Sequence, residues 1–368
     1  MKLHAGIMVA GLLVAMGTVS GEEAGPVALQ LSGEFVGTHD PSIAVEQGRY
    51  YVFATGRAYA GAPAESPAGA RGPGTGQLPI RCSDDLRTWR RCGQVFPAIP
   101  AWITQLSPGT RDLWAPDISY FDGLYHLYYA FSIFGRNTSG IALATNQTLD
   151  AESANYHWVD RGLVLQSRAG DNFNAIDPSL ILGQKGQAWL MYGSFWTGIK
   201  LRRLDRATGL LSEEDTRVYS LASRGAGGRE RGADPPPGSE AIEAPFLFEH
   251  GKYYYLFVSW DLCCRGSKST YRTMVGRSKK ITGPYRDRDG KRMLEGGGTP
   301  LLVGNGTWLG PGGESLLHLD EHLDSPLAGQ DSLVFHAYGA VDGRPALQIS
   351  TIAWKKGWPL AALGDKAP

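Results

Sequence analysis

The sequence predicts an all-β chain folded as a single five-bladed β-propeller, with a cleft across one end of the central channel. Three observations carry this. The 368 residues include 49 Gly and 22 Pro, about a fifth of the chain, together with 10 Trp and 16 Tyr. Many turns among many aromatics mean short strands with tight connections, which excludes a helical bundle and a disordered chain. One pattern also returns five times: a Pro beside an acidic residue, an apolar strand, a Gly turn, then an aromatic-rich strand. Finally, its Pro residues fall at 41, 116, 178, 245 and 311, spaced by 75, 62, 67 and 66 residues. Each interval holds about four short strands, the size of one propeller blade. A β-sandwich is the alternative, but it has no reason to hold that distance.

The copies run in order. The first is His39-Asp40-Pro41-Ser42-Ile43, then Gly48, then Tyr50-Tyr51-Val52-Phe53. The second is Trp114-Ala115-Pro116-Asp117-Ile118, then Gly123, then Tyr125 to Tyr129. The third is Ile176-Asp177-Pro178-Ser179-Leu180, then Gly186, then Trp189 to Tyr192. The fourth is Glu243-Ala244-Pro245-Phe246-Leu247, then Gly251, then Tyr253 to Phe257. The fifth is degenerate, reading Gly310-Pro311-Gly312-Gly313-Glu314-Ser315 before Leu333-Val334-Phe335-His336. Two Gly/Pro-rich stretches, 57–78 and 222–239, interrupt the pattern and read as surface loops.

Ahead of the propeller, assigned to 21–368, residues 1–20 read as a secretory signal. Lys2 precedes an apolar run from Ile7 to Val19, with small residues at Ser20 and Gly21. The run falls short of the ~20 residues that span a bilayer, so a secreted or periplasmic protein is expected, with no membrane attachment after cleavage. Export makes the four cysteines candidates for disulfides. Cys82 and Cys92 flank a turn and are placed to pair across a hairpin, whereas the adjacent Cys263 and Cys264 either stay reduced or close on each other. The 36 basic and 36 acidic residues cancel, which leaves no basic field for nucleic acid or an anionic membrane.

A propeller gathers the starts of its inner strands around one end of the axis. Three copies put a carboxylate there: Asp40, Asp177 and Glu243. Crowded carboxylates repel, and their pKa values should separate into an acid and a base. One protonated acid beside one ionised base is what glycosidic cleavage needs. Capping of turns before Pro is the bland reading for any single one, and Asp117, one residue past its Pro, is read that way. Trp114, Phe134, Asn174, Ser194, Phe195 and Trp196 supply rings and polar groups suited to a sugar.

These residues resemble family 43 of the glycoside hydrolases, and within it the endo-acting α-1,5-L-arabinanases. The matching stretches include His39-Asp40-Pro41, Asp112 to Asp117, Asn172 to Pro178, Gly193 to Ile199, Glu240 to Phe246, Ser269-Thr270-Tyr271, Gly283-Pro284-Tyr285, Val334 to Tyr338 and Gly357-Trp358-Pro359. The resemblance implies inverting hydrolysis of arabinan by a monomer, with Asp40 as general base, Glu243 as general acid and Asp177 tuning the acid. It places Phe134-Gly135, Asn174-Ala175-Ile176 and Ser194 to Trp196 against substrate. It implies no cofactor for the chemistry, but a channel ion held by a His in a Gly-Pro-Gly-His segment. Here Gly313 stands at that His, with Glu314 next and His318 and His336 as substitutes. A carboxylate is a hard oxygen donor suited to Ca²⁺, so Glu314 and His318 are the metal candidates. An exo-acting arabinofuranosidase or β-xylosidase would use the same acids, with the 57–78 stretch blocking one end of the groove. A non-catalytic sugar-binding propeller would have lost at least one of them.

Overall fold

The computed structural model describes residues 25–58, 76–225, 241–319 and 327–366. Residues 1–20, and most of the two Gly/Pro-rich stretches, lie outside these. The first stretch is shorter than its composition suggested, because 76–83 is already strand.

Five antiparallel sheets form the blades. Blade 1 runs Ser42–Glu46, Arg49–Phe53, Gly76–Ser83 and Thr88–Phe96 from the axis outward. Blade 2 is Leu113–Phe121, Leu124–Phe131, Ser139–Asn146 and Val159–Ser167, and blade 3 is Ser179–Leu182, Ala188–Tyr192, Ile199–Arg203 and Val218–Ala222. Blade 4 is Ile242–His250, Tyr253–Trp260, Arg272–Ser278 and Thr299–Leu302; blade 5 is Trp308–His318, Asp331–Gly339 and Pro345–Thr351. The N-terminal segment completes blade 5: Leu29 N–H donates to Ile349 O, and Leu347 N–H to Phe35 O. Ser32–Gly33 of the same segment pairs with Thr88 and Trp89 of blade 1, so one stretch of chain closes the ring.

The aromatic runs occupy the second strand of each blade, and they are apolar on both faces because both faces are covered. Tyr128 and Tyr129 are neighbours on a strand, so they point to opposite sides, and both are fully buried. Tyr129 joins Phe53 and Leu78 in the core between blades 1 and 2, while Tyr128 joins Leu190 and Tyr192 between blades 2 and 3. Cys82 and Cys92 close a disulfide across the outer strands of blade 1, and Cys263 and Cys264 close one with each other.

At the axis the five inner strands begin alike. Asp40, Ala115, Asp177, Ala244 and Gly313 all have left-handed backbones, with φ between 41° and 60°. The next residue is Pro in four blades and Glu314 in the fifth. The register of the fifth repeat is therefore set by Gly313-Glu314, and Pro311 lies three residues earlier than the Pro of the other copies. Cross-blade bonds fix the ring: Ile118 N–H donates to Ser42 Oγ (3.0 Å), Leu180 N–H to Asp117 Oδ2 (2.8 Å), and Ser315 Oγ to Pro41 O (2.8 Å). Asp117 is structural, as its position past the Pro suggested.

Candidate active site

The starts of the five strands line a cavity of about 30 Å³, room for about two waters, walled by residues 40–42, 115–117, 177–179, 244–246 and 313–315. Asp40 and Asp177 sit at its rim in the same position of blades 1 and 3. Glu243 is one residue earlier than that position in blade 4, so the three acids converge without being in strict register.

Asp40 is held as a carboxylate. Thr55 Oγ donates to its Oδ2 at 2.6 Å and His39 Nδ1 lies 2.8 Å from the same oxygen. Its backbone N–H donates to His336 Nδ1 at 3.2 Å. Burial alone would raise its pKa, but His39, then His336 and Thr55, outweigh that and bring it down to about 2. Thr55 in turn accepts Ala115 N–H (2.7 Å), which locks the hydroxyl's hydrogen toward Asp40.

Asp177 has no such neighbours. It accepts one backbone bond, from Ala244 N (2.9 Å), while burial and then the charges of Glu243 and Asp40 push it well above the carboxylate range. Glu243 is buried too, and burial raises it, joined by the charge of Asp40. Ser194 Oγ donates to its Oε2 (2.6 Å) and Tyr271 O–H to its Oε1, and both favour the ionised form. Burial and mutual repulsion therefore let the Asp177–Glu243 pair keep one proton to higher pH than an exposed carboxyl would. The surroundings thus push Asp40 toward the ionised form and the Asp177–Glu243 pair toward the protonated one.

The candidate sugar contacts divide. Phe134 is 78% exposed in the turn after Leu124–Phe131, with Gly135 beside it in a left-handed conformation. Trp114 is half-buried at the start of blade 2, and Phe195 and Trp196 are half-buried with left-handed backbones. Phe195 N–H donates to Ile242 O, beside Glu243. Ser194 is buried on Glu243. Asn174 is buried with its Oδ1 taken by Ser139 Oγ (2.7 Å), Ala175 is fully buried in the core between blades 2 and 3, and Ile176 O accepts Gly193 N–H. These three shape the wall that carries Asp177. Of the supports, Thr55 and Lys200 were not singled out from sequence, and Tyr271 and Tyr338 stood only within matching stretches, without a role; Lys200 Nζ donates to Thr197 O (2.9 Å) and so braces the turn of Phe195 and Trp196.

Of the metal candidates, His318 does not line this cavity: it ends the inner strand of blade 5 and is paired there with Asp331 at 2.6 Å. Glu314 lines the channel. Its Oε2 accepts from Ser259 (3.0 Å) and Thr273 (3.3 Å), and its Oε1 is buried without a partner among the described residues. Burial, against those two hydroxyls, raises its pKa to about 8. At Gly313 a Cβ would fall 2.8 Å from the His336 ring and 2.7 Å from Asp40 Oδ1, so His336 fills the space that a side chain there would need. An orphaned, buried carboxylate oxygen beside room for water fits a hard cation such as Ca²⁺.

Three carboxyls with opposed electrostatics at a propeller axis, beside one exposed and three half-buried aromatics, fit a carbohydrate-cleaving hydrolase. The chain belongs to the glycosyl hydrolases family 43, whose model matches residues 36–359. It is 40% identical over 339 residues to an extracellular exo-α-(1→5)-L-arabinofuranosidase of Cellvibrio japonicus, covering 90% of this chain and 88% of that protein. It is also 40% identical over 323 residues to an extracellular endo-α-(1→5)-L-arabinanase of Bacillus subtilis, covering 87% and 86%. The α-L-arabinanase of Cellvibrio cellulosa, solved with arabinohexaose, superposes with a TM-score of 0.77 at 38% identity, covering 89% of this chain and 96% of that one.

Proposed function

We propose that this protein is an exported endo-arabinanase that hydrolyses internal α-1,5-L-arabinofuranosidic bonds of arabinan with inversion of configuration. The observation that carries the reading is the opposed electrostatics of the site, with Asp40 driven down to about 2 and the Asp177–Glu243 pair driven up. Asp40 takes a proton from water as that water attacks the anomeric carbon. Glu243 gives its proton to the leaving oxygen, and Ser194 and Tyr271 donate to the carboxylate that remains. Asp177 keeps Glu243 protonated by repulsion. Inversion needs a water between base and sugar, which sets carboxyls about 6.5–9.5 Å apart. Phe134, Trp114, Phe195 and Trp196 offer faces to the arabinofuranosyl rings. Glu314 would hold Ca²⁺ with water, and the ion would supply positive charge under the acids. The apolar leader at 1–20 and the extracellular relatives support export.

The second reading is exo action, favoured by the relative named as an arabinofuranosidase. Incubation with linear debranched arabinan and, separately, p-nitrophenyl α-L-arabinofuranoside separates the two, with Glu243→Ala as control. Oligosaccharides of mixed length, an untouched aryl glycoside and an inactive control are expected. Monosaccharide alone, or cleavage of the aryl glycoside, would make the enzyme exo-acting. No turnover of either would reject arabinan as substrate.

A further inference from the structure

The general base is surrounded by a second layer that its chemistry does not require. Tyr338, buried in the middle strand of blade 5, has its hydroxyl 2.6 Å from His39 Nε2. The same oxygen accepts the backbone N–H of Cys264 at 2.9 Å. Cys264 belongs to the disulfide with Cys263, has a left-handed backbone (φ 65°), and sets its sulfur 3.8 Å from His39 Nε2. On its other side the His39 ring stacks on His336, with centroids 3.8 Å apart.

His39 Nδ1 lies 2.8 Å from Asp40 Oδ2, an ion-pair contact outside hydrogen-bond alignment. The 2.6 Å contact between Nε2 and the Tyr338 hydroxyl runs in the direction that the imidazole's protonation sets. Burial keeps the phenol protonated. Its oxygen also accepts the Cys264 N–H. The contacts run from end to end: Cys264 N–H to Tyr338, Tyr338 to His39, His39 to Asp40. His336 Nδ1 accepts the Asp40 N–H, and its ring backs that of His39.

We propose that the Cys263–Cys264 disulfide turn, Tyr338 and His39 form a positioning relay that aims the carboxylate of Asp40, so that opening the disulfide slows turnover. The proposal rests on Asp40 being the general base. None of the three needs to touch substrate. The disulfide holds one N–H at the angle that Tyr338 requires, and left-handed backbone at a residue with a side chain persists only where its surroundings impose it. Releasing the turn frees the phenol, then the imidazole. A misplacement of about 1 Å at a reacting group costs up to about 100-fold in rate.

The test compares kcat and KM on debranched arabinan for the full enzyme, Tyr338→Phe and a Cys263→Ala/Cys264→Ala variant. Each is assayed with and without a water-soluble phosphine. The phosphine cleaves the S–S bond to two thiols and takes its oxygen from water. All are made in a Cys82→Ala/Cys92→Ala background, so that the blade 1 disulfide plays no part, and melting temperatures are recorded for each. Tyr338→Phe and the phosphine should each lower kcat by about 10- to 100-fold with KM within about twofold. The phosphine should add nothing to Tyr338→Phe, because both act along one path. An unchanged kcat on reduction, a loss confined to KM, or a phosphine effect of full size in Tyr338→Phe would each overturn the relay. Should Tyr338→Phe melt early, the cysteine variant and the phosphine decide alone. An Asp40→Asn enzyme that retains activity would instead remove the reading of Asp40 as base, whatever Tyr338 does.

Discussion

Asp40 and Asp177 stand at the same point of blades 1 and 3, each with a left-handed backbone and a Pro behind it, and their carboxyls are driven in opposite directions. The repeat sets where they are. The neighbouring blade sets what they are. Asp40 faces a hydroxyl and two imidazoles, brought by the strand ends of blades 1 and 5, whereas Asp177 faces one backbone N–H and the carboxyl of Glu243. A symmetric scaffold thus yields two carboxyls of opposed proton affinity, because the side chains around them break the symmetry.

The largest way to test the contrast is to neutralise each acid in turn. Asp40→Asn should lower kcat on arabinan by about 10³- to 10⁴-fold, since it removes the proton acceptor. Asp177→Asn should cost less, about 10²-fold, because the chemistry keeps both partners. Its diagnostic is the pH profile. With the repulsion gone, Glu243 loses its proton at lower pH, so the alkaline limb of kcat/KM should move to lower pH; movement to higher pH would reverse the assignment of the pair.

A smaller effect comes from the hydroxyls that mark each side. Thr55→Val removes a donor that lowers the Asp40 pKa, so the acidic limb should move to higher pH while the alkaline limb stays. Tyr271→Phe removes a donor that lowers the Glu243 pKa, so the alkaline limb should move to higher pH while the acidic limb stays. Shifts of both limbs in either variant would mean that the two sides are not separable.

The smallest effect concerns the channel below. If Glu314 holds Ca²⁺, a chelator should lower the melting temperature of the parent enzyme and leave Glu314→Gln unchanged. A chelator shift of equal size in both would place the ion elsewhere.

The repeat, the ring of strand starts and the three acids were legible in the sequence because each is local. Asp-Pro at 40 and 177 and Glu243 before Ala244-Pro245 stand out beside their aromatic strands. The fifth register was misplaced because Pro311 is a nearby decoy, and the equivalent position carries Glu314. The residues that give the acids their chemistry were not legible as such. Tyr271 is 28 residues from Glu243, Thr55 is 15 from Asp40, and Tyr338 is 299 from His39. Closure of the ring brings His39 and Tyr338 together, and no local pattern encodes it. Asn174 and Ala175 carry the opposite lesson, since their place in a sugar-binding motif does not tell a wall residue from a contact.

The most direct measurement is a carboxyl ¹³C NMR titration of enzyme labelled at aspartate, with Asp40→Asn and Asp177→Asn to assign the two signals. At about pH 5, where an exposed aspartate is ionised, the account predicts a fully ionised Asp40 and, in the same molecule, an Asp177 still partly protonated through the proton it shares with Glu243. Two ionised carboxyls, or a protonated Asp40, would contradict it.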